Sequence, residues 1–127
     1  MGNILLVGIG GFIGSVLRYG VSGLVQEWTK RDDFPVGTLA VNVLGCLIIG
    51  LLSQLAEARG AFSPETRAFV FIGILGGFTT FSSFGNETMN LWRDGEGFLA
   101  FVNVAGQVAL GLGAVWLGRV LGHKIWG

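Results

Sequence analysis

Charge is scarce in this chain of 127 residues: only 13% of them are Asp, Glu, Lys or Arg, and the formal net charge is zero. Soluble domains carry about 25% charged residues, so this chain lacks the charged surface that a soluble enzyme presents to water. Its eight basic residues form no patch that could neutralise nucleic-acid phosphates. The composition therefore excludes an ordinary soluble enzyme, and no nucleic-acid partner is expected.

Cysteine, histidine and proline are nearly absent as well. Cys46 is the only cysteine and His123 the only histidine, which excludes an internal disulfide and argues against a Cys/His metal cluster. With two prolines and no three-residue period, the chain is neither collagen-like nor a proline-rich disordered segment. What the chain does contain is 51% hydrophobic residues and 23 glycines, a composition that indicates an integral membrane protein embedded in lipid.

The apolar residues form four segments of about 20 residues or more, the length that a helix needs to cross a hydrocarbon core of ~30 Å. We therefore predict one all-α transmembrane domain over residues 1–127, in a multi-pass protein of the cell (inner) membrane. Ser63, Pro64 and Glu65 predict the capped start of the third helix. The four predicted spans are 4–25, 36–55, 64–92 and 98–121.

Positive charge is divided evenly between the two ends of such a bundle. The positive-inside rule then gives almost no preference for one orientation, so we expect the chain to insert both ways up. A bundle this small is also thin for enclosing a pathway alone, which favours a dimer of oppositely oriented copies. The side of the termini carries Arg59, Arg67, Arg119 and Lys124, and the other side carries Lys30, Arg31, Arg93 and the deeper Arg18.

Four of the polar side chains in the spans other than the third are candidates for a function. Arg18 either has a function within the membrane or extends to the interface. Asn42 either donates to an anion or makes a hydrogen bond between helices. Asn103 and Gln107 share one helix face and either support a pathway or bond across helices.

Glycines four residues apart recur in three of the spans. Small residues at this spacing let helix backbones approach closely in lipid, where no hydrophobic force drives helices together. We therefore predict close helix packing at Gly10 and Gly14, Gly73 and Gly77, and Gly118 and Gly122.

The third span contains a predicted helix interruption. Gly76 and Gly77 are followed by the β-branched residues Thr79 and Thr80, a combination that breaks a helix in the middle of the span. Carbonyl groups freed inside a membrane must coordinate a cation or line a cavity.

Aromatic and hydroxyl side chains alternate after this point. Phe78, Phe81 and Phe84 recur every three residues and are expected along one helix face. The hydroxyls of Thr79, Thr80, Ser82 and Ser83 lie between them. An aromatic ring has a positive edge, so ring edges and hydroxyl donors are suited to line a path for a small anion. A plain packing face is the alternative. Glu87 fits an anion path only if it is protonated or hydrogen bonded.

Three motifs follow one another along the chain: Arg18 after a glycine-rich stretch, Gly37-Thr38-Leu39-x-x-Asn42-x-x-Gly45, and Gly76-Gly77-Phe78-Thr79-Thr80-Phe81-Ser82-Ser83-Phe84-x-x-Glu87. Together these motifs resemble the Fluc (CrcB) fluoride channel family over essentially the whole chain. The resemblance implies a channel, not an enzyme, that lets fluoride leave the cell passively. It implies an antiparallel, dual-topology homodimer of four-helix subunits with two pores along the interface and a structural sodium ion at the centre.

The resemblance also implies roles for single residues. The backbone carbonyls of Gly76 and Thr79 would hold the sodium ion. Phe81 and Phe84 would supply ring edges along the pores, and Asn42 an amide donor to fluoride. Arg18 would belong to the vestibule. The remaining polar positions of the fluoride path would be Thr38, Ser82, Ser83, Glu87 and Gln107, the last replacing a small hydroxyl residue.

Two other functions are compatible with four spans and short loops. A small dual-topology multidrug transporter needs a buried acid, typically in the first span, but residues 4–25 contain none. A non-conducting membrane assembly subunit would leave the helix interruption and the hydroxyl groups without a purpose.

Overall fold

Helices account for all regular structure in the computed structural model, which describes residues 2–127. Four helices in this part of the chain are long and apolar enough to cross a membrane. The all-helical, four-span prediction is therefore confirmed. These helices are Gly2–Thr29 (α1), Val36–Arg59 (α2), Pro64–Arg93 and Gly97–Trp126.

The third of these spans has two arms. The first arm, residues 64–78, is called α3 below, and the second is α4 at Phe81–Arg93; the last helix, Gly97–Trp126, is then α5. Ser63 caps α3 as predicted, because its Oγ accepts a hydrogen bond of 3.2 Å from the Thr66 backbone N–H. Within α3, Ala68–Leu75 is a π-helix, which the apolar sequence does not reveal and which is rare in proteins.

The helices extend a few residues beyond the apolar segments at their polar ends. Backbone hydrogen bonds continue where the hydrophobic residues stop, so hydropathy marks the membrane and not the helix boundary. The second helix ends at Arg59 because Gly60 adopts the left-handed conformation, with φ of 57°.

A glutamine ties α1 to the start of α2. The Gln26 Nε2 group donates to the carbonyls of Arg31 and Phe34, the latter at 2.9 Å, and its Oε1 accepts from the Gly37 backbone N–H at 2.9 Å. That N–H belongs to the first turn of α2, where no intrahelical acceptor is available. One uncharged side chain therefore holds the connection between the first two helices.

Close backbone approach holds the bundle together, as the glycine spacing predicted. The two main pairings are α2 with α5 and α1 with α3. A Cβ atom on Gly77 would lie 2.7 Å from the Gly11 carbonyl oxygen, and one on Gly118 would lie 2.8 Å from the Leu51 nitrogen. Larger residues would force these helices apart, so the packing prediction is confirmed at these positions.

Helical geometry is interrupted at two threonines between α3 and α4. Thr79 has φ of −93° and ψ of 158°, and Thr80 has φ of −150° and ψ of 115°, so both residues are extended. Gly76, which was expected to break the helix, keeps helical angles of −62° and −38°. The β-branched threonines suit an extended backbone, whereas Gly77 is needed for its close contact with α1.

Phe78 does not belong to the aromatic face that its spacing predicted. It is the last residue of α3 and is only 6% exposed. The extended threonines lie between it and Phe81, which is 81% exposed at the start of α4. Because the helix is interrupted between them, the three-residue spacing places only Phe81 and Phe84 on a common face.

Candidate functional site

The interruption redirects the backbone hydrogen bonds of the third span. In a continuous helix, the N–H of Thr80 would bond to Gly76 and that of Ser83 to Thr79. Instead, Thr80 N–H donates to the Asn42 Oδ1 atom at 2.8 Å, and Ser83 N–H donates to the Thr80 hydroxyl at 3.2 Å. The carbonyl groups of Gly76 and Thr79 are thus among those that lose their helical donors.

Asn42 on α2 clamps this interruption from the side. Its Nδ2 group donates to the Thr80 carbonyl at 3.1 Å and to the Gln107 Oε1 atom at 3.0 Å. Because its Oδ1 accepts from Thr80 N–H, the orientation of the Asn42 amide is fixed, and Gln107 must present its oxygen to Asn42. Both N–H groups of Asn42 therefore have acceptors within the chain.

The opposite end of the Gln107 side chain is a buried amide donor. Its Nε2 atom has no hydrogen-bond partner among residues 2–127. An unpartnered buried donor is costly, and Gln107 lines a cavity beside the interruption. Of the two coupled amides, Gln107 is the one that retains donor capacity.

Asn103 lies elsewhere, in the interior of the bundle. It is fully buried, and its Nδ2 group donates to the Thr88 hydroxyl at 2.9 Å. That hydroxyl in turn donates to the Phe84 carbonyl at 2.7 Å. Asn103 therefore bonds across helices, which is the second of the two interpretations that its sequence position allowed.

Two phenylalanines meet edge to face at the start of α4. The ring centroids of Phe81 and Phe84 are 5.3 Å apart, with an angle of 64° between the ring planes. In this arrangement the positive edge of one ring points at the negative face of the other. Both phenylalanines line the same cavity as Gln107.

Hydroxyl groups cluster around Thr80, which caps the start of α4. The Thr80 hydroxyl donates to the Ser83 Oγ atom at 3.1 Å and lies 3.4 Å from the Ser82 Oγ atom. The structure thus brings the two predicted serines to one place. Thr80, whose hydroxyl the sequence placed beside theirs, is the residue that links them.

Glu87 was expected to be either protonated or hydrogen bonded, and in the structure it is hydrogen bonded. The hydroxyl of Thr38 on α2 donates to its Oε2 atom at 2.9 Å. Its Oε1 atom is buried and has no partner among the described residues. Thr38 is itself buried, so the pair joins α2 to α4 one turn beyond the Asn42 clamp.

Arg18 extends from α1 to the end of α3. Its Nε–H donates to the Gly77 carbonyl at 2.9 Å. In a continuous helix that carbonyl would accept from residue 81, so Arg18 replaces a donor that the interruption removes. The half-buried arginine is paired with backbone and does not simply extend to the interface.

Two cavities border the interruption, with volumes of about 380 Å³ and about 740 Å³. Thr80 lines both of them and so stands at the boundary between them. The smaller cavity is largely apolar and includes Asn42, Gln107, Thr79, Thr80, Phe81 and Phe84. The larger one includes Arg18, Thr38, Thr80, Ser83 and Glu87.

Four membrane-crossing helices, one of them interrupted beside polar cavities, define a multi-pass membrane protein of the cell membrane. Non-helical backbone at membrane depth is tolerated where it is buried in protein or lines a cavity, as in channels and transporters. A family model described as "CrcB-like protein, Camphor Resistance (CrcB)" matches residues 5–119. The chain therefore belongs to the CrcB family, and the resemblance inferred from its motifs is confirmed.

Curated relatives match nearly the full length of the chain. A protein from Parabacteroides distasonis is 50% identical over 126 residues, covering 97% of this chain and 94% of its own. One from Chlorobaculum tepidum is 47% identical, covering 99% and 98% of the two chains, and one from Methylobacillus flagellatus is 44% identical, covering 93% and 92%. Each is named a fluoride-specific ion channel FluC. The family thus contains ion channels, not enzymes.

Proposed function

We propose that this chain is a fluoride-selective channel that lets cytoplasmic fluoride leave the cell passively. The observation that carries the proposal is the meeting of an amide donor, hydroxyl groups and two phenyl edges around the interruption at Thr79 and Thr80. The names of relatives at 44–50% identity support fluoride as the ion.

The chemistry of these groups suits a small anion. Fluoride holds its hydration shell tightly, so a narrow pore must replace water by donors at close range. Gln107 Nε2, the serine hydroxyls and the ring edges of Phe81 and Phe84 are neutral donors. They stabilise the ion without a fixed positive charge that would bind it too tightly to conduct.

A second copy in the opposite orientation completes the pathway. In one chain, the Phe81 ring is 81% exposed and Gly76 is also exposed, both beside the smaller cavity. An antiparallel homodimer covers these groups and forms two fluoride pores along the interface. The even division of Lys and Arg between the two ends supports insertion in both orientations.

A structural sodium ion fits the centre of this dimer. The carbonyls of Gly76 and Thr79 lose their helical donors at the interruption, and hard cations prefer oxygen ligands. Two such carbonyls from each subunit would hold the ion. When bound, sodium supplies a positive centre that lowers the cost of an anion in the membrane.

The other polar residues extend the path from the interruption towards the surface. The hydroxyls of Ser82 and Ser83 add hydrogen-bond donors along the pore. The hydrogen bond from Thr38 holds Glu87 beside them. Arg18 lines the larger cavity, which serves as a vestibule where its positive charge attracts fluoride.

Liposome flux tests the proposal. We expect protein reconstituted into vesicles loaded with potassium fluoride to release fluoride rapidly once a potassium ionophore dissipates the membrane potential. Potassium chloride vesicles should release almost no chloride under the same conditions. An ion-selective electrode measures both.

The same assay separates the alternatives. A protein that releases neither anion is not a channel, and a non-conducting assembly subunit then becomes the better explanation. Proton-coupled uptake of a cationic dye without fluoride release would instead indicate a multidrug transporter.

A further inference from the structure

The side chain of Arg18 has a bonding partner that a vestibule charge does not need. Its Nε–H donates at 2.9 Å to the carbonyl of Gly77, 59 residues further along the chain. Arginine needs no such bond to supply positive potential, since its charge acts through space. The contact therefore points to a second task for this residue.

The position of Arg18 on α1 follows from the glycines before it. Gly10, Gly14 and Arg18 are four residues apart and lie along one helix face. A Cβ atom on Gly10 would lie 3.0 Å from the Gly73 Cα atom, and one on Gly14 would lie 2.9 Å from the Phe78 nitrogen. The glycines bring α1 against α3, and the arginine on the same face then reaches the end of α3.

The end of α3 is where a donor is needed. Its last carbonyls have no following turn to bond with, and they carry the negative end of the helix dipole. A guanidinium group is suited to this place because it is positive and its N–H groups have fixed directions. By binding Gly77, Arg18 also withdraws that carbonyl from any cation nearby.

We propose that Arg18 is a positioning residue of the ion pathway. Its Nε–H fixes the Gly77 peptide and thereby directs the neighbouring carbonyls of Gly76 and Thr79 towards the dimer centre. This inference rests on the proposed function, because it assigns Arg18 a role in forming the sodium site. It adds to the charge of Arg18 a geometric role that depends on one hydrogen bond.

Three substitutions separate the bond from the charge. In Arg18→Gln, the Nε2 atom stands at the same bond distance from the backbone as the arginine Nε, so the donor is kept and the charge is lost. In Arg18→Lys, the charge is kept, but the donor lies one bond further out. Arg18→Met keeps a similar shape without donor or charge.

Fluoride efflux from liposomes is the first measurement. We expect Arg18→Gln to retain most of the wild-type rate and Arg18→Met to lose roughly tenfold or more, the effect of one hydrogen bond to a charged group. Arg18→Lys should fall between them. The proposal would be overturned if Arg18→Lys released fluoride at nearly the wild-type rate while Arg18→Gln and Arg18→Met were equally slow. That result would mean that Arg18 acts only by its charge.

A measurement without flux tests the same point. Sodium should raise the thermal unfolding midpoint of the detergent-solubilised wild-type protein above its value in potassium. We expect this sodium shift to persist in Arg18→Gln and to vanish in Arg18→Met. An equal sodium shift in all variants would refute the positioning role.

Two controls keep the outcomes distinct. Arg93→Lys changes an exposed arginine that bonds only its neighbour Asp94 at 3.3 Å and keeps the count of basic residues at that end, so it should leave both measurements unchanged. If the wild-type protein itself releases no fluoride, the proposed function fails, whatever the order of the Arg18 variants in the thermal measurement.

Discussion

At the scale of single residues, the polar groups around the interruption bond mainly to one another. Thr80 accepts from and donates to Asn42 through its backbone, and its side chain caps α4. Asn42 in turn fixes the amide of Gln107. The hydrogen-bond donors of this region are thus held in fixed directions by other bonds. A pore needs such donors if they are to replace the water around an ion without a rearrangement of the protein.

The two phenylalanines of this region give a direct test at this scale. We expect Phe81→Ile or Phe84→Ile to reduce fluoride efflux by about tenfold, equivalent to ~1.4 kcal/mol, because isoleucine has no positive edge to offer the ion. Ion-selective electrode traces from liposomes measure the rate. Size-exclusion chromatography should show that the proposed dimer still assembles.

Phe101→Ile on α5 is a matched control for this test. Phe101 is 69% exposed and lies away from both cavities at the interruption, so the same substitution there should leave the flux unchanged. Normal flux in both Phe81→Ile and Phe84→Ile would show that these rings only pack.

At the scale of helices, the contact between α1 and α3 depends on glycine. A Cβ atom on Gly14 would lie 2.9 Å from the Phe78 nitrogen, a backbone atom that cannot rotate away. Gly8 on the same helix faces open space, with nothing within 4 Å of a Cβ. Both positions are glycines within the same helix, so an alanine would have the same intrinsic helix propensity at each. They differ only in what an added Cβ atom would contact.

Alanine substitutions at these positions should therefore behave differently. We expect Gly14→Ala to destabilise the protein by about 1–3 kcal/mol, the usual cost of overpacking. Gly8→Ala should be neutral or slightly stabilising, because alanine favours a helix. Detergent-induced unfolding followed by circular dichroism measures both, and equal stability of the two variants would contradict the role assigned to Gly14.

The four spans could be predicted from sequence, and the motifs named candidate residues that line the two cavities, but several details could not. Hydropathy and motif order are local signals, and they sufficed for the helices but not for the hydrogen bonds between Asn42 and Thr80. The π-helix at Ala68–Leu75 arises within a uniformly apolar stretch that carries no mark of it. Phe78 was misplaced because a spacing rule assumes a continuous helix, and Thr79 and Thr80 interrupt it.

Arg18 illustrates why tertiary contacts escape such reasoning. Its depth in the first span was visible, but its partner is a backbone carbonyl, and every residue has one. Only the packing of α1 against α3 selects Gly77. The same holds for the amide of Gln107, whose orientation follows from the bonds that Asn42 has already made.

At the scale of the whole molecule, basic residues at the two ends of the bundle decide orientation. Several are paired with acids, such as Arg119 with Glu57 at 3.1 Å and Arg31 with Asp33 at 3.2 Å. The hydrogen bond from Arg31 lowers the pKa of Asp33, which keeps that carboxylate ionised. Orientation nevertheless depends on Lys and Arg, because acids contribute little to it.

Removing basic residues from one end should therefore bias insertion. We expect Lys30→Gln with Arg31→Gln, and separately Arg59→Gln with Lys124→Gln, to favour opposite orientations. Each variant alone should give less antiparallel dimer and less fluoride efflux, and co-expression of the two should restore both. A C-terminal reporter that works on one side of the membrane measures the orientation.

An acidic pair provides the control for this experiment. Asp32→Asn with Asp33→Asn changes the charge of the same loop by two units without altering the count of Lys and Arg. It should leave orientation and flux unchanged. Full efflux from either basic variant expressed alone in a single orientation would contradict the antiparallel arrangement.

The common face of Gly10, Gly14 and Arg18 also limits how the chain can change in length. One residue inserted between Gly14 and Arg18 would turn every later side chain of the helix by about 100°. The guanidinium would then point away from Gly77 while the glycines stayed in contact with α3. An insertion or deletion within this stretch therefore breaks the bond to Gly77, whatever residue is added or removed.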